Sequence, residues 1–115
     1  MADPCPDRIT EQRTSGQIAV IFTSRLVGDD PAYTQAAARM AELAAAQPGY
    51  LGVESARGPD GVGITISYWS DNAAAIAWRA HAEHSVIREQ GRERWYDRYR
   101  VTVARIERSY AWQRP

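Results

Sequence analysis

A chain of 115 residues, 44% hydrophobic and 24% charged, has room for one core and not for two. Its formal net charge is zero, so no overall field draws it to nucleic acid or membrane, and all fourteen of its basic residues are arginine. Without lysine, Schiff-base chemistry and a lysine-dependent phosphate loop are excluded; with one cysteine, so is an internal disulfide.

Residues 1–16 are polar, contain Pro4, Pro6 and Gly16, and show no periodicity, which predicts a disordered N-terminal tail. Cys5 lies there as an exposed thiol with no activating base in view. No signal-peptide core is present and no run approaches the ~20 apolar residues of a membrane span, so a cytoplasmic protein without a membrane partner is expected. Charge is uneven along the chain: five arginines meet nine acids in residues 1–78, and nine meet five in residues 79–115. Solvated ion pairs on helix surfaces account for such a pattern.

Residues 17–26 alternate Ile18, Val20, Phe22, Ser24 and Leu26 against Ala19, Ile21, Thr23 and Arg25. This predicts a strand covered on both faces at its start and reaching a wet cavity at its polar end. Asp30 and Pro31 read as N-cap and first helical residue of a helix ending near Ala46, with Tyr33, Ala36, Met40 and Leu43 facing inward. Gln47-Pro48-Gly49 stops it. Residues 50–57 and 62–69 are strands joined by the hairpin turn Gly58-Pro59-Asp60-Gly61. Ser70-Asp71-Asn72 caps a second helix, predicted to run through Trp78, His81 and His84 to Gly91. A further short helix over 92–99 and a last strand from 99 or 100 to 110 complete the order β-α-β-β-α-β. That is the α+β, ferredoxin-like split βαβ plan, a four-stranded antiparallel sheet with helices on one face. Its other face is apolar, and a second copy covering it would make a homodimer, a dimeric α/β-barrel.

Candidate chemistry concentrates in the second helix. Trp78, His81 and His84 follow one another at i,i+3 spacing and nearly share a face. His81 is the candidate base, because imidazole titrates near neutral pH. The plainer reading, preferred for His84, is a half-buried ring bonded to a backbone carbonyl or to the first helix. Trp78 is either a core aromatic or a flat wall for a planar ligand, and Tyr68, Trp69, Trp95 and Tyr96 pose the same alternative. Two histidines without a third ligand do not make a metal site. Arg25 and Arg88 are either anion stabilisers or solvated ion-pair partners. RNA binding, known on the same element order in RRM domains, is opposed by a third strand without the aromatic RNP pattern.

Taken together, IAVIFTSRL, QPGYLGVES, YWSDNAAAIAWRAHAEH, GRERWYDRY and VARIERSY resemble the antibiotic-biosynthesis monooxygenase (ABM) domain family over residues 17–112, leaving 113–115 as a C-terminal tail. The resemblance implies a dimeric barrel and an oxidation of a small aromatic or polyketide-like molecule, in one version without any cofactor. In that version His81 is the base, Trp78 the wall, and Arg25 or Arg88 the anion stabiliser; Ser24, Tyr68, His84 and Trp95 add substrate contacts. The heme-degrading branch is an alternative. It uses an asparagine near the end of the first strand, a tryptophan on the second helix and an iron-ligating histidine about three turns on. Trp78 matches the tryptophan, but Ser24 and Arg88 stand near the other two positions, and arginine keeps its proton. A non-catalytic ligand-binding dimer is the third expectation.

Overall fold

The computed structural model describes residues 9–115. Cys5 and the first half of the expected tail lie outside the described residues. The elements are β1 (Ile18–Leu26), α1 (Pro31–Ala45), β2 (Tyr50–Arg57), β3 (Val62–Trp69), α2 (Asn72–Ala80), α3 (Ala82–Gln90), a π-helical turn (Gly91–Trp95) and β4 (Tyr96–Arg105). The four strands form one antiparallel sheet in the order β2-β3-β1-β4, which is the ferredoxin-like arrangement. No helix among the described residues is long and apolar enough to cross a membrane.

Local chemistry sets the ends of the elements. Asp30 accepts from the Ala32 N–H at 2.9 Å and Pro31 opens α1. Asp71 accepts from the Ala74 N–H at 2.8 Å and caps α2. Gly49, at φ +84°, lies so near α2 that a Cβ there would stand 2.5 Å from the Ala74 Cβ. The β2–β3 hairpin closes with Gly58 N–H donating to Val62 O at 2.9 Å, and Asp60 Oδ1 accepts from Val62 N–H.

Register assigns the two faces of the sheet. Ile18 pairs with Trp69, Val20 with Ser67, Phe22 with Thr65 and Ser24 with Gly63, so these share one face. α1 and α2 lie on that face: Ile18 and Trp69 pack with Ala44, Ala75 and Trp78 to form the core. The opposite face carries Ala19, Ile21, Thr23 and Arg25 beside Tyr68, Ile66, Ile64 and Val62, and Ile64 is 47% exposed. Arg13 covers a corner of it, with its guanidinium 3.9 Å from the Tyr68 ring centre. Gly16 N–H donates to Ile106 O and Ile106 N–H to Gln17 O, tying the chain before β1 to the chain after β4.

Three expectations are corrected. The second helix is not continuous: His81, at φ −60° and ψ 130°, ends α2 and caps α3. Neither proline nor glycine marks this break. It holds because the carbonyls exposed at the end of α2 find new donors, as described below. The short helix expected over 92–99 is instead the π-helical turn followed at once by β4. Pairing of Leu26 with Tyr96, and of Ser24 with Tyr99, draws the chain into the sheet earlier than its charged composition suggests. A bulge between Arg25 and Leu26 absorbs the register shift there. β4 ends at Arg105 and not at Tyr110 because Arg105 pairs with Ile18, the first residue of β1, and no strand continues beyond.

Candidate functional site

The α2–α3 junction brings together Trp78, His81, His84 and Arg88. Trp69, fully buried, stacks on Trp78 at 6.0 Å between ring centres, and His84 stacks on it at 4.3 Å and 22°. His81 lies 5.8 Å away, tilted by 40°. His84 Nδ1 is 2.9 Å from the Trp78 carbonyl, a bond that requires the Nδ1–H tautomer and leaves Nε2 as the free nitrogen. Arg88 Nη1 donates to the Arg79 carbonyl at 3.4 Å. Side chains from α3 thus meet carbonyls of the last turn of α2, where the Trp78 carbonyl also accepts from the His81 N–H. His84 therefore has the backbone-bonded role, the plainer of its two readings.

The junction also holds its loosest polar groups. His81 Nδ1 and Arg88 Nε are buried and have no hydrogen-bond partner. Such atoms are uncommon, since an unmet buried donor or acceptor costs about 1–3 kcal/mol. Trp78 is only 7% exposed, so in this conformation its indole is core, with His84 occupying the place of a planar ligand. α3 is fastened from outside by Arg39, whose Nε and Nη2 meet the two carboxylate oxygens of Glu83 at 2.6 and 3.2 Å.

Burial holds the His84 imidazole below its ordinary value of 6.5, and the neighbouring guanidiniums of Arg88 and Arg79 act in the same direction, against the Trp78 carbonyl bond. The neutral ring is therefore the form that folding favours. As pH falls through 6.5 the unfolded chain takes its proton first, and stability drains away until the folded-state pKa is passed. His84→Phe removes this dependence. The urea-unfolding free energy of wild type, measured relative to that of His84→Phe, is expected to fall as pH drops from 7.5 towards the folded-state value. A difference that stays flat with pH would show that His84 is solvated.

Ser24 and Trp95 lie at the other end of the helix-covered face, six residues along β1 from Ile18, or about 20 Å. Trp95 is 3% exposed and its indole N–H donates to Asp30 Oδ2 at 3.1 Å, so its polar edge is already used. The Ala32 N–H bond holds the Asp30 carboxyl below the usual range against the cost of burial, with help from Trp95 and Arg94. Around them Tyr33, Tyr96, Tyr99 and Phe22 pack at ring separations of 5.3 to 6.2 Å. Arg57 donates to the Ser24 hydroxyl at 3.1 Å. No local pattern marks Arg57; the available cue is that Ser24 and Gly63, both helix-facing by alternation, leave room beside it. Arg25 and Tyr68 fall on the opposite face of the sheet, where Arg25 pairs with Asp97. Arg25 and Tyr68 therefore do not join Trp78. Among the described residues no group of three or more His, Cys, Asp or Glu is placed to hold a metal ion.

The family model of antibiotic biosynthesis monooxygenase, ABM, matches residues 19–90. The chain belongs to the ABM family. That match spans β1 to the end of α3 and so includes both ends of the helix-covered face. The chain is 50% identical over 95 residues to YqjZ of Bacillus subtilis strain 168, described as uncharacterized, covering 83% of each protein. SnoaB from Streptomyces nogalater, a cofactor-independent oxygenase, has the same fold at a TM-score of 0.69 and 17% identity, over 78% of this chain and 92% of SnoaB. Protein SO0527 from Shewanella oneidensis superposes at a TM-score of 0.70 with 14% identity, over 84% and 95% of the two chains.

Proposed function

We propose that this ABM protein is a monooxygenase that oxidises a small aromatic molecule at the α2–α3 junction without metal or flavin, working as a homodimer. The observation that carries the reading is the pair of buried, unpartnered side-chain atoms, His81 Nδ1 and Arg88 Nε, beside the Trp78–His84 stack. A phenolic ligand brings the oxygen those atoms lack and the flat ring that replaces His84 against Trp78. The helix break at His81 gives α3 the joint about which to make room. SnoaB, a cofactor-independent oxygenase of the same fold, supports the reaction class. The exposed apolar residues Val62 and Ile64 on the uncovered sheet face support the dimer.

For a hydroxyanthrone the chemistry balances without a cofactor. His81 takes a proton, Arg88 steadies the resulting anion, and the anion gives one electron to dioxygen. The radical pair joins as a carbon-bound peroxide, which loses water; one oxygen atom stays as the quinone carbonyl and the other leaves in the water with both hydrogens of the oxidised carbon. The test is purified protein, air and a hydroxyanthrone, with no added metal or flavin, followed by quinone absorbance. Quinone formation above the protein-free rate is expected; a rate equal to the protein-free rate overturns the reading. The low exposure of Trp78 favours a second reading, a binding dimer without turnover. Thermal stabilisation by phenols in the absence of quinone formation would identify it, and a Soret shift on adding hemin would point to heme.

A further inference from the structure

We infer a second ligand site, for a small ring-bearing carboxylate, on the Arg57 guanidinium at the Leu26 end of the helix-covered face. Arg57 pairs with Gly63 across β2 and β3, and Gly63 pairs with Ser24 on β1, so the three positions form a row on one face. Two of the three are small. A Cβ on Gly63 would stand 2.6 Å from Arg57 Cζ, so the guanidinium occupies space that only glycine leaves open.

The group is pinned there by neutral acceptors. Nη1 donates to the Ser24 carbonyl at 3.2 Å and to the Gly61 carbonyl, and Nη2 donates to the Ser24 hydroxyl at 3.1 Å. Both terminal nitrogens thus turn toward Ser24, which uses the end-on fork of the guanidinium. The side-on fork is Nε–H with the other Nη2–H. Its one contact among the described residues is a long bond, 3.4 Å, from Nη2 to Tyr33 Oη.

Charge completes the case. Arg25, Arg39, Arg92 and Arg94 each have a carboxylate within ion-pair distance, whereas among the described residues Arg57 has none. A guanidinium already fixed in place keeps its full charge and loses little further freedom when an anion arrives. The open fork matches a planar carboxylate bidentately. The Tyr33 ring centre lies 5.9 Å from Arg57 Cζ and 6.0 Å from the Tyr96 ring, so the flank of the site is aromatic and suits an acid that carries a ring. Burial and the adjacent Tyr33 phenol raise the Tyr96 hydroxyl, which therefore stays protonated and adds no competing negative charge.

Benzoate is the probe, titrated at constant ionic strength into the full chain while backbone amide resonances are followed by NMR. Saturable shifts are expected at Ser24, Tyr33, Gly61 and Gly63. Arg57→Gln should weaken binding about tenfold or more, the scale of a lost charge-assisted bond. Gly63→Ala should weaken it comparably although Arg57 keeps its charge, and Arg57→Lys should weaken it by losing the fork while the fold is retained. Arg100→Gln, exposed on the opposite face, should bind as wild type. Unsaturable shifts at those four amides, an Arg57→Gln variant that binds benzoate normally, or equal binding of inorganic phosphate would each overturn the proposal. None of these readouts depends on turnover at the Trp78 end.

Discussion

Trp69→Ala is expected to lower the unfolding free energy by about 3–5 kcal/mol, the usual cost of emptying a buried tryptophan position. Trp69 is the largest fully buried side chain among the described residues, at 0% exposure, and it joins β3 to three other elements, β1, β2 and α2. It pairs with Ile18 in the sheet, meets the Tyr50 ring edge-on at 5.8 Å, and stacks on Trp78 from α2. Its indole N–H donates to Ser67 Oγ at 3.0 Å, so truncation also strips that hydroxyl of its donor. Trp69→Phe keeps most of the volume and should cost distinctly less. Val103→Ala, at a site 56% exposed, should change stability by no more than about 0.5 kcal/mol. Urea titrations of the three variants measure this directly. A loss below about 1 kcal/mol for Trp69→Ala would mean that α2 settles into the vacancy.

How much of this was legible in the sequence follows from what each residue answers to. β2 and β3 could be bounded to the residue because Gly58-Pro59-Asp60-Gly61 is a local turn signal between two β-rich runs. α1 was legible for the same reason: Asp30, Pro31 and Gly49 act on their immediate neighbours. The π-helical turn and the start of β4 were not, since residues 92–99 are rich in arginine and acids and join the sheet only because Phe22 offers Tyr96 and Tyr99 a ring to pack on. The break at His81 was hidden because its support is distant in space: His84 and Arg88 bind back to the carbonyls of Trp78 and Arg79. Alternation placed Arg25 and Ser24 on opposite faces, and that division decides which of them shares the helix-covered side. The pairing of Ser24 with Arg57 required strand register, and no local pattern encodes it.

His81→Ala is expected to reduce kcat/KM for a hydroxyanthrone by about 10²–10⁴-fold, the contribution of a positioned general base. His81 has a second duty that the experiment must separate. Its backbone forms the joint between the helices, with N–H donating to Trp78 O at 3.1 Å and carbonyl accepting from Ser85 N–H at 3.0 Å. Those bonds involve no side-chain atom, so alanine preserves them and removes only the ring and its unpartnered Nδ1. Added imidazole distinguishes the two roles. A missing base is replaced by imidazole diffusing into the vacancy, and the rate should recover in proportion to its unprotonated concentration, whereas a misplaced α3 gains nothing from it. Arg88→Gln removes the anion's charged partner and should lower kcat without being rescued by imidazole. A His81→Ala protein that oxidises the substrate at the wild-type rate removes His81 from proton transfer. The remaining imidazole of the junction, His84 Nε2, would then be the nitrogen to examine, since Nδ1 is committed to Trp78.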